Sequence, residues 1–197
     1  MKFNPQTHHR RSIRLNGYDY ARENFYFITI CCQNKVCLFG EIQNGGMLLN
    51  DAGKMLEYEW LMLEARFQNI KLQSFVVMPN HFHGILEIVG ATLVVAQNNG
   101  NETGRSQAVA QNNGNETGQP QGTAPTKSIG DMLDAFKSIT TVKYIHGVKN
   151  LGWPSFDKRI WQRNYYEHII RDVSEYLKIV NYIENNPAKW AEDDFHA

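Results

Sequence analysis

The chain has 197 residues, 42% hydrophobic and 20% charged, and its formal net charge is zero. That length suits one domain with a proper core, and the composition is that of an ordinary soluble globular protein. No apolar run approaches the roughly 20 residues that cross a bilayer, and the N-terminus lacks the apolar stretch of a signal peptide, so a cytoplasmic protein with no membrane partner is expected.

The three cysteines, Cys31, Cys32 and Cys37, have no Cys-x-x-Cys spacing and read as reduced strand residues, not as a disulfide framework or a zinc site. The zero net charge argues neither for nor against nucleic acid, but the charges are segregated. Residues 1–15 hold Lys2, Arg10, Arg11 and Arg14 with no acid, and residues 127–171 hold eight bases against four acids. Acids elsewhere, among them Glu192, Asp193 and Asp194, restore the balance. Such a distribution permits a basic groove on a neutral protein, although on charge alone solvated helix faces are the better explanation.

In chain order, the aromatic and β-branched run Phe25–Cys32 predicts a buried strand. Val36–Phe39 reads as a short strand or loop, followed by Gly40 and a turn at Asn44-Gly45-Gly46. Asn50 is a good N-cap for a helix over 51–66, with Met55, Tyr58, Leu61, Met62 and Ala65 as its apolar face. Two strands, residues 70–77 and 84–89, flank Met78-Pro79-Asn80-His81-Phe82-His83. Pro79 belongs at a strand end or turn because it cannot donate to a central ladder.

Residues 91–126 differ in kind. Val95–Gly104 recurs identically as Val109–Gly118, and this polar tandem copy cannot bury a core; a disordered insertion at about 91–126 is expected. A helix follows from Ser128 to about Ile145. Ile160-Trp161-Gln162-Arg163 reads as a final strand running toward His168, and a last helix spans Val173 to Asn185, with Leu177, Val180, Ile183 and Tyr176 as its apolar face and Pro187 stopping it. The order is βαββ, linker, αβα: an α+β domain with helices on a mostly antiparallel sheet.

Three stretches can carry chemistry. On a strand, His81 and His83 project side by side from one face, and neutral imidazoles are common metal ligands. Glu87 shares that face and is a rival third ligand. On the last helix, Tyr182 and Asn186 stand four apart and therefore on one face. A tyrosine hydroxyl is a poor nucleophile near neutrality unless its ionisation is eased; the Asn186 amide oxygen beside it could be a further metal ligand.

Met78-Pro79-Asn80-His81-Phe82-His83-Gly84, Trp161-Gln162-Arg163-Asn164-Tyr165-Tyr166-Glu167-His168 and Tyr182-Ile183-Glu184-Asn185-Asn186-Pro187 occur in that order. The set resembles the HUH (His-hydrophobic-His) single-tyrosine transposases, above all the REP-associated tyrosine transposases linked to bacterial palindromic repeats. The likeness covers roughly residues 20–90 and 127–190. It implies a ferredoxin-like α+β fold and a single transposase-like domain over residues 1–197 interrupted by the insertion. It also implies a divalent metal, Mg²⁺ or Mn²⁺, on His81, His83 and Asn186. Tyr182 would be the nucleophile, cutting single-stranded DNA with hairpin or palindromic elements through a 5′-phosphotyrosine. The chain departs from the family pattern in its insertion and in its short segment after Tyr182.

Arg10, Arg11, Arg14, Arg159 and Arg163 are candidate phosphate contacts. Tyr165 and Tyr166 are rival nucleophiles or stacking platforms, and His168 is expected as a hydrogen-bonded structural histidine. Monomer and homodimer both remain open. Two other functions fit the sequence: a non-catalytic DNA hairpin-binding regulator of palindromic repeats, and a metalloenzyme unrelated to nucleic acid that uses His81, His83 and Glu87.

Overall fold

The computed structural model describes residues 17–89 and 127–196. The tandem repeat, with its expected disorder, and Arg10, Arg11 and Arg14 lie outside the described residues. The elements in order are β1 (Asn24–Cys31), β2 (Gly40–Gln43), β3 (Gly46–Leu49), α1 (Asp51–Leu61), α2 (Leu63–Arg66), β4 (Ile70–Val77), β5 (His81–Ile88), α3 (Ile129–Asn150), β6 (Tyr166–Ile170) and α4 (Val173–Asn185). Short 3₁₀ segments occupy Gln33–Lys35 and Pro187–Glu192.

Strands β4-β5-β1-β6 form one sheet in that order, each antiparallel to its neighbour. With the small β2–β3 hairpin set aside, this βαββαβ order and strand arrangement is the expected ferredoxin-like α+β fold. The hairpin itself turns at Asn44-Gly45, where both residues have positive φ as a tight hairpin turn requires.

The two faces of the sheet have different partners. Tyr26, Ile28 and Ile30 of β1 and Phe82, Leu86 and Ile88 of β5 pack on Leu56 and Trp60 of α1 and on Met132, Leu133 and Phe136 of α3. Phe27, Ile85 and Ile170 face the other way and meet Ile183 of α4. Helix α4 thus covers the face opposite α1 and α3. Because β5 alternates, His81 and His83 point to the α4 side while Phe82 anchors the strand beneath. Gly84 has no side chain because a Cβ there would lie 2.8 Å from both the Phe82 and Trp60 rings.

The expected helix over 51–66 is two pieces broken at Met62, and its inward face differs from the predicted one. Ala52, Leu56, Trp60 and Leu63 are buried, whereas Tyr58 and Leu61 are more than half exposed. Both sets repeat at helical spacing, and the buried Glu59 on the inward side disguised the true face. Its carboxylate accepts hydrogen bonds from Arg66 Nη2 at 2.6 Å and from Lys143 of α3. Asn50 caps α1 as expected, its side chain accepting from the Gly53 amide at 2.9 Å.

Helix α3 runs beyond Ile145 to Asn150, started by a Ser128–Asp131 capping box. It continues because Tyr144 and Gly147 are buried, Gly147 lying flat under the Trp153 ring. The expected strand at 160–163 is only an isolated Cys32–Trp161 bridge; β6 begins later, at Tyr166. Lys137 Nζ donates to the carbonyls of Gln162 (2.8 Å) and Arg163 (3.0 Å), drawing that segment toward α3 and away from the sheet ladder. Helix α4 matches its predicted bounds, and Tyr176, Val180 and Ile183 pack inward as expected, but Leu177 is exposed and Ile179 takes its place.

Burial pushes the Glu59 carboxyl up, and the hydrogen bonds from Lys143 and Arg66 more than reverse this, leaving its pKa below the ordinary value. A lowered native pKa adds stability that is complete above the unfolded value of about 4.3 and drains away as pH falls through the native one. Glu59→Gln is therefore expected to lower the unfolding free energy by about 1–3 kcal/mol at pH 7. The gap from wild type should narrow on titration toward pH 3, as read by urea denaturation at each pH.

Candidate metal and tyrosine site

The site is assembled on the α4 face of the sheet from β1, β5, α4 and the chain after it. His81 pairs across the ladder with Cys31, and His83 with Thr29. The imidazole centroids are 4.5 Å apart, and both rings are buried. Phe27 stacks on His83 at 5.4 Å, and Phe195 and Trp190 lie over His81 at 4.7 and 5.9 Å.

Asn80 sets the protonation of the first histidine. Its Nδ2 donates to the carbonyls of Lys35 (2.9 Å) and Phe195 (2.8 Å), so its Oδ1 is the atom that faces His81 Nδ1 at 2.9 Å. Nδ1 must then carry the proton and donate, which leaves the Nε2 lone pair bare. That Nε2 is buried and has no hydrogen-bond partner. His83 Nδ1 meets Thr29 Oγ1 at 2.8 Å, and its Nε2 faces the Tyr182 hydroxyl at 3.2 Å. Burial lowers both histidine pKa values: His81 to about 4 against the opposing pull of Asp193 and Asn186, and His83 well below the ordinary value with a further push from His81. Both rings are neutral near pH 7, the state that binds metal.

Asn186 is buried at the end of α4, and its Oδ1 lacks a partner. Its side chain neighbours both His81 and Tyr182, easing protonation of the first and ionisation of the second. Asp193 completes the cluster: one of its carboxylate oxygens is 3.9 Å from His81 Nε2. Single ligand atoms from His81, His83 and Asp193 all lie within 4.8 Å of one another. Two buried imidazoles, a carboxylate and an orphaned amide oxygen form a donor set that suits a divalent cation, and these are the residues that could hold one.

Tyr182 is not pre-ionised. Burial raises its pKa, Asp193 raises it further, and the hydrogen bond from Asn186 only partly offsets them. Its ring is edge-on to Phe27 at 6.0 Å, and the residue as a whole is 43% exposed.

His81, His83, Tyr182 and Asn186 thus come together from segments a hundred residues apart. Glu87 does not join them; its carboxylate accepts from Gln73 at 3.0 Å. Tyr166 is half exposed against Phe27, Tyr165 packs on the core, and His168 bonds Glu175 at 2.6 Å as a structural histidine. Arg159 and Arg163 are exposed on the segment before β6. Asp193 and Asn80 were not singled out in the sequence. Asn80 was legible as the amide immediately before the first histidine, whereas Asp193 in an acidic tail carried no signal.

The fold and site define an α+β protein with a His-x-His pair opposed by a helical tyrosine, and His81-Phe82-His83 fits the HUH motif that the sequence resembles. The chain belongs to one family with an uncharacterized protein of Haemophilus influenzae, to which it is 41% identical over 202 residues, covering 99% of this chain and 97% of the relative. No family model matches it. Among solved structures it is similar to a REP-associated tyrosine transposase bound to a REP hairpin, at 18% identity and TM-score 0.49, over 90% of this chain and 74% of that one. It is also similar to a protein of Deinococcus radiodurans R1 assigned to the transposases by name, at 16% identity and TM-score 0.45, over 87% and 95% of the two chains. Among the described residues no helix is long and apolar enough to cross a membrane.

Replacing Asn80 with Ala frees His81 Nδ1 from its acceptor and should weaken Mn²⁺ binding about 10–100-fold. Asp193→Asn should weaken it as well and Glu87→Gln should leave it unchanged, all measured by calorimetric titration of the folded protein.

Proposed function

We propose that this protein is a metal-dependent endonuclease and strand transferase acting on single-stranded DNA that carries hairpin or palindromic elements. The observation that carries the reading is the 3.2 Å approach of the Tyr182 hydroxyl to His83 Nε2, beside two buried and unpartnered donors, His81 Nε2 and Asn186 Oδ1. In this reading the Tyr182 oxygen attacks a phosphodiester. The new bond joins tyrosine to the 5′-phosphate, the bond to the 3′-oxygen breaks, and the tyrosine proton is lost while the departing 3′-oxygen gains one. A divalent cation, Mg²⁺ or Mn²⁺, bound by His81, His83, Asn186 and Asp193, would stabilise charge on the phosphate oxygens and ease ionisation of the hydroxyl.

The chain's own residues set the terms of that step. Tyr182 is protonated at rest, so the hydroxyl gives up its proton only as the attack proceeds. Thr29 and Asn80 hold the imidazoles in orientation. Phe27, Trp190 and Phe195 keep the pair dry, which strengthens electrostatic interactions within the site. The covalent bond conserves the energy of the cut phosphodiester, so the 3′-hydroxyl can reverse the reaction without ATP. The REP hairpin held by the solved transposase supports hairpin-bearing DNA as the substrate class.

One observation favours the non-catalytic hairpin-binding alternative: both imidazoles are fully buried beneath Phe195. Denaturing gels of hairpin-flanked single strands with Mn²⁺ separate the two. The nuclease reading expects a covalent 5′-linked adduct that Tyr182→Phe abolishes, by a factor of at least about 10³, with DNA binding retained. An adduct that survives in Tyr182→Phe overturns the assignment, and tight binding with no cleavage of any substrate selects the regulator.

A further inference from the structure

A cavity of about 320 Å³ opens beside Tyr182, between one face of α4 and the chain that folds back after it. Helix α4 contributes Asn181, Tyr182, Asn185 and Asn186 to its wall, and the returning chain contributes Lys189 and residues 192–195. The volume is at the small end of ligand pockets, about 300–1,000 Å³, and suits a single nucleotide unit. One side is shared with the metal site, because Asn186 and Asp193 both line it and the buried Asn186 Oδ1 has no hydrogen-bond partner. The returning wall is tied down: Asn80 Nδ2 donates to the Phe195 carbonyl at 2.8 Å and Lys35 Nζ to the Asp194 carbonyl at 2.7 Å.

The lining chooses its occupant. Apart from Asp193, which belongs to the metal site, Glu192 and Asp194 stand against one cation, Lys189, so the outer lining is acidic and favours a neutral group over a second phosphate. Ionised carboxylates only accept hydrogen bonds. Asn185 Nδ2 is already committed to the Asn181 carbonyl (2.8 Å) and to Asn181 Oδ1 (2.9 Å), leaving Asn185 Oδ1 as its free group, another acceptor. Phe195 supplies an aromatic side, the usual platform for an unstacked base. The acceptors of Glu192, Asp194 and Asn185 outnumber the donors of the lining, Asn181 Nδ2 and the Lys189 ammonium, so the aromatic-walled pocket favours a flat neutral ring that carries an amino donor.

We propose that this pocket holds the nucleobase next to the phosphodiester attacked by Tyr182 and selects a base with an exocyclic amino group (adenine, cytosine or guanine) over thymine, which has none. Glu192, Asp194 and Asn185 are its specificity determinants. The proposal rests on the reading of Tyr182 as the nucleophile, because that residue puts the pocket at the cleaved position.

The test uses full-length protein, Mn²⁺ and hairpin-flanked single strands that vary only in the two bases bordering the cleaved bond. Single-turnover cleavage is followed with wild type, and fluorescence anisotropy with the Tyr182→Phe variant, so that base choice is read with and without chemistry. Thymine at one bordering position should slow cleavage and weaken binding about ten-fold or more, the worth of one charge-assisted hydrogen bond. Where adenine is accepted, unsubstituted purine should incur the same loss, since only the amino group differs. Glu192→Gln with Asp194→Asn should reduce the discrimination to within about three-fold, and Asn185→Ala should reduce it in part. Equal cleavage and binding for all four bases, or discrimination unchanged in these variants, overturns the pocket while leaving the nucleophile intact. Base-dependent binding with no adduct on any strand upholds the pocket as a base site and overturns the nuclease reading instead.

Discussion

The two-residue alternation of β5 is the constraint on which the rest depends. Phe82, Leu86 and Ile88 must face Trp60 and Phe136 for the sheet to bury its helix-packed side. The intervening residues, His81 and His83, are then forced onto the opposite face, where only α4 and the chain after it can cover them. A slip of one residue would drive two imidazoles into the main core and two large apolar groups into the site. Gly84 secures the register by admitting the Trp60 ring against the strand.

Burial then determines chemistry. Removed from water, the histidines lose their tendency to protonate and become lone-pair donors near pH 7. Asn80 decides which nitrogen of His81 is the donor, because its own amide is oriented by two carbonyls, one from the chain end. The same desolvation works against Tyr182 and keeps its hydroxyl protonated. The pocket beside it combines this dry centre with an acidic outer wall that carries Glu192 and Asp194.

Much of this was legible in one dimension where the signal was local. The strand at 24–31, the Ser128 and Asn50 caps and the bounds of α4 follow from residue type and spacing. The inward side of α1 was not, because two apolar stripes compete on that helix and Glu59 is tolerated inside only through Lys143, far away in sequence, and Arg66, seven residues on beyond the break at Met62. The strand at 160–163 failed for a similar reason: Lys137 draws its carbonyls toward α3, which no local pattern records.

The sequence alone determined the α+β order, the shared strand face of His81 and His83 and the shared helix face of Tyr182 and Asn186, since each is written within a few residues by strand or helix periodicity, whereas the choice of these residues as a site came from the family resemblance. Only the tertiary structure decided that these two motifs meet at hydrogen-bond distance, that Asp193 and not Glu87 joins them, and that the short chain end forms the outer wall of the site. Periodicity reports which way a side chain points from its own element. Which elements face each other is settled by how the whole chain buries its apolar surface, and that is a property of no single stretch.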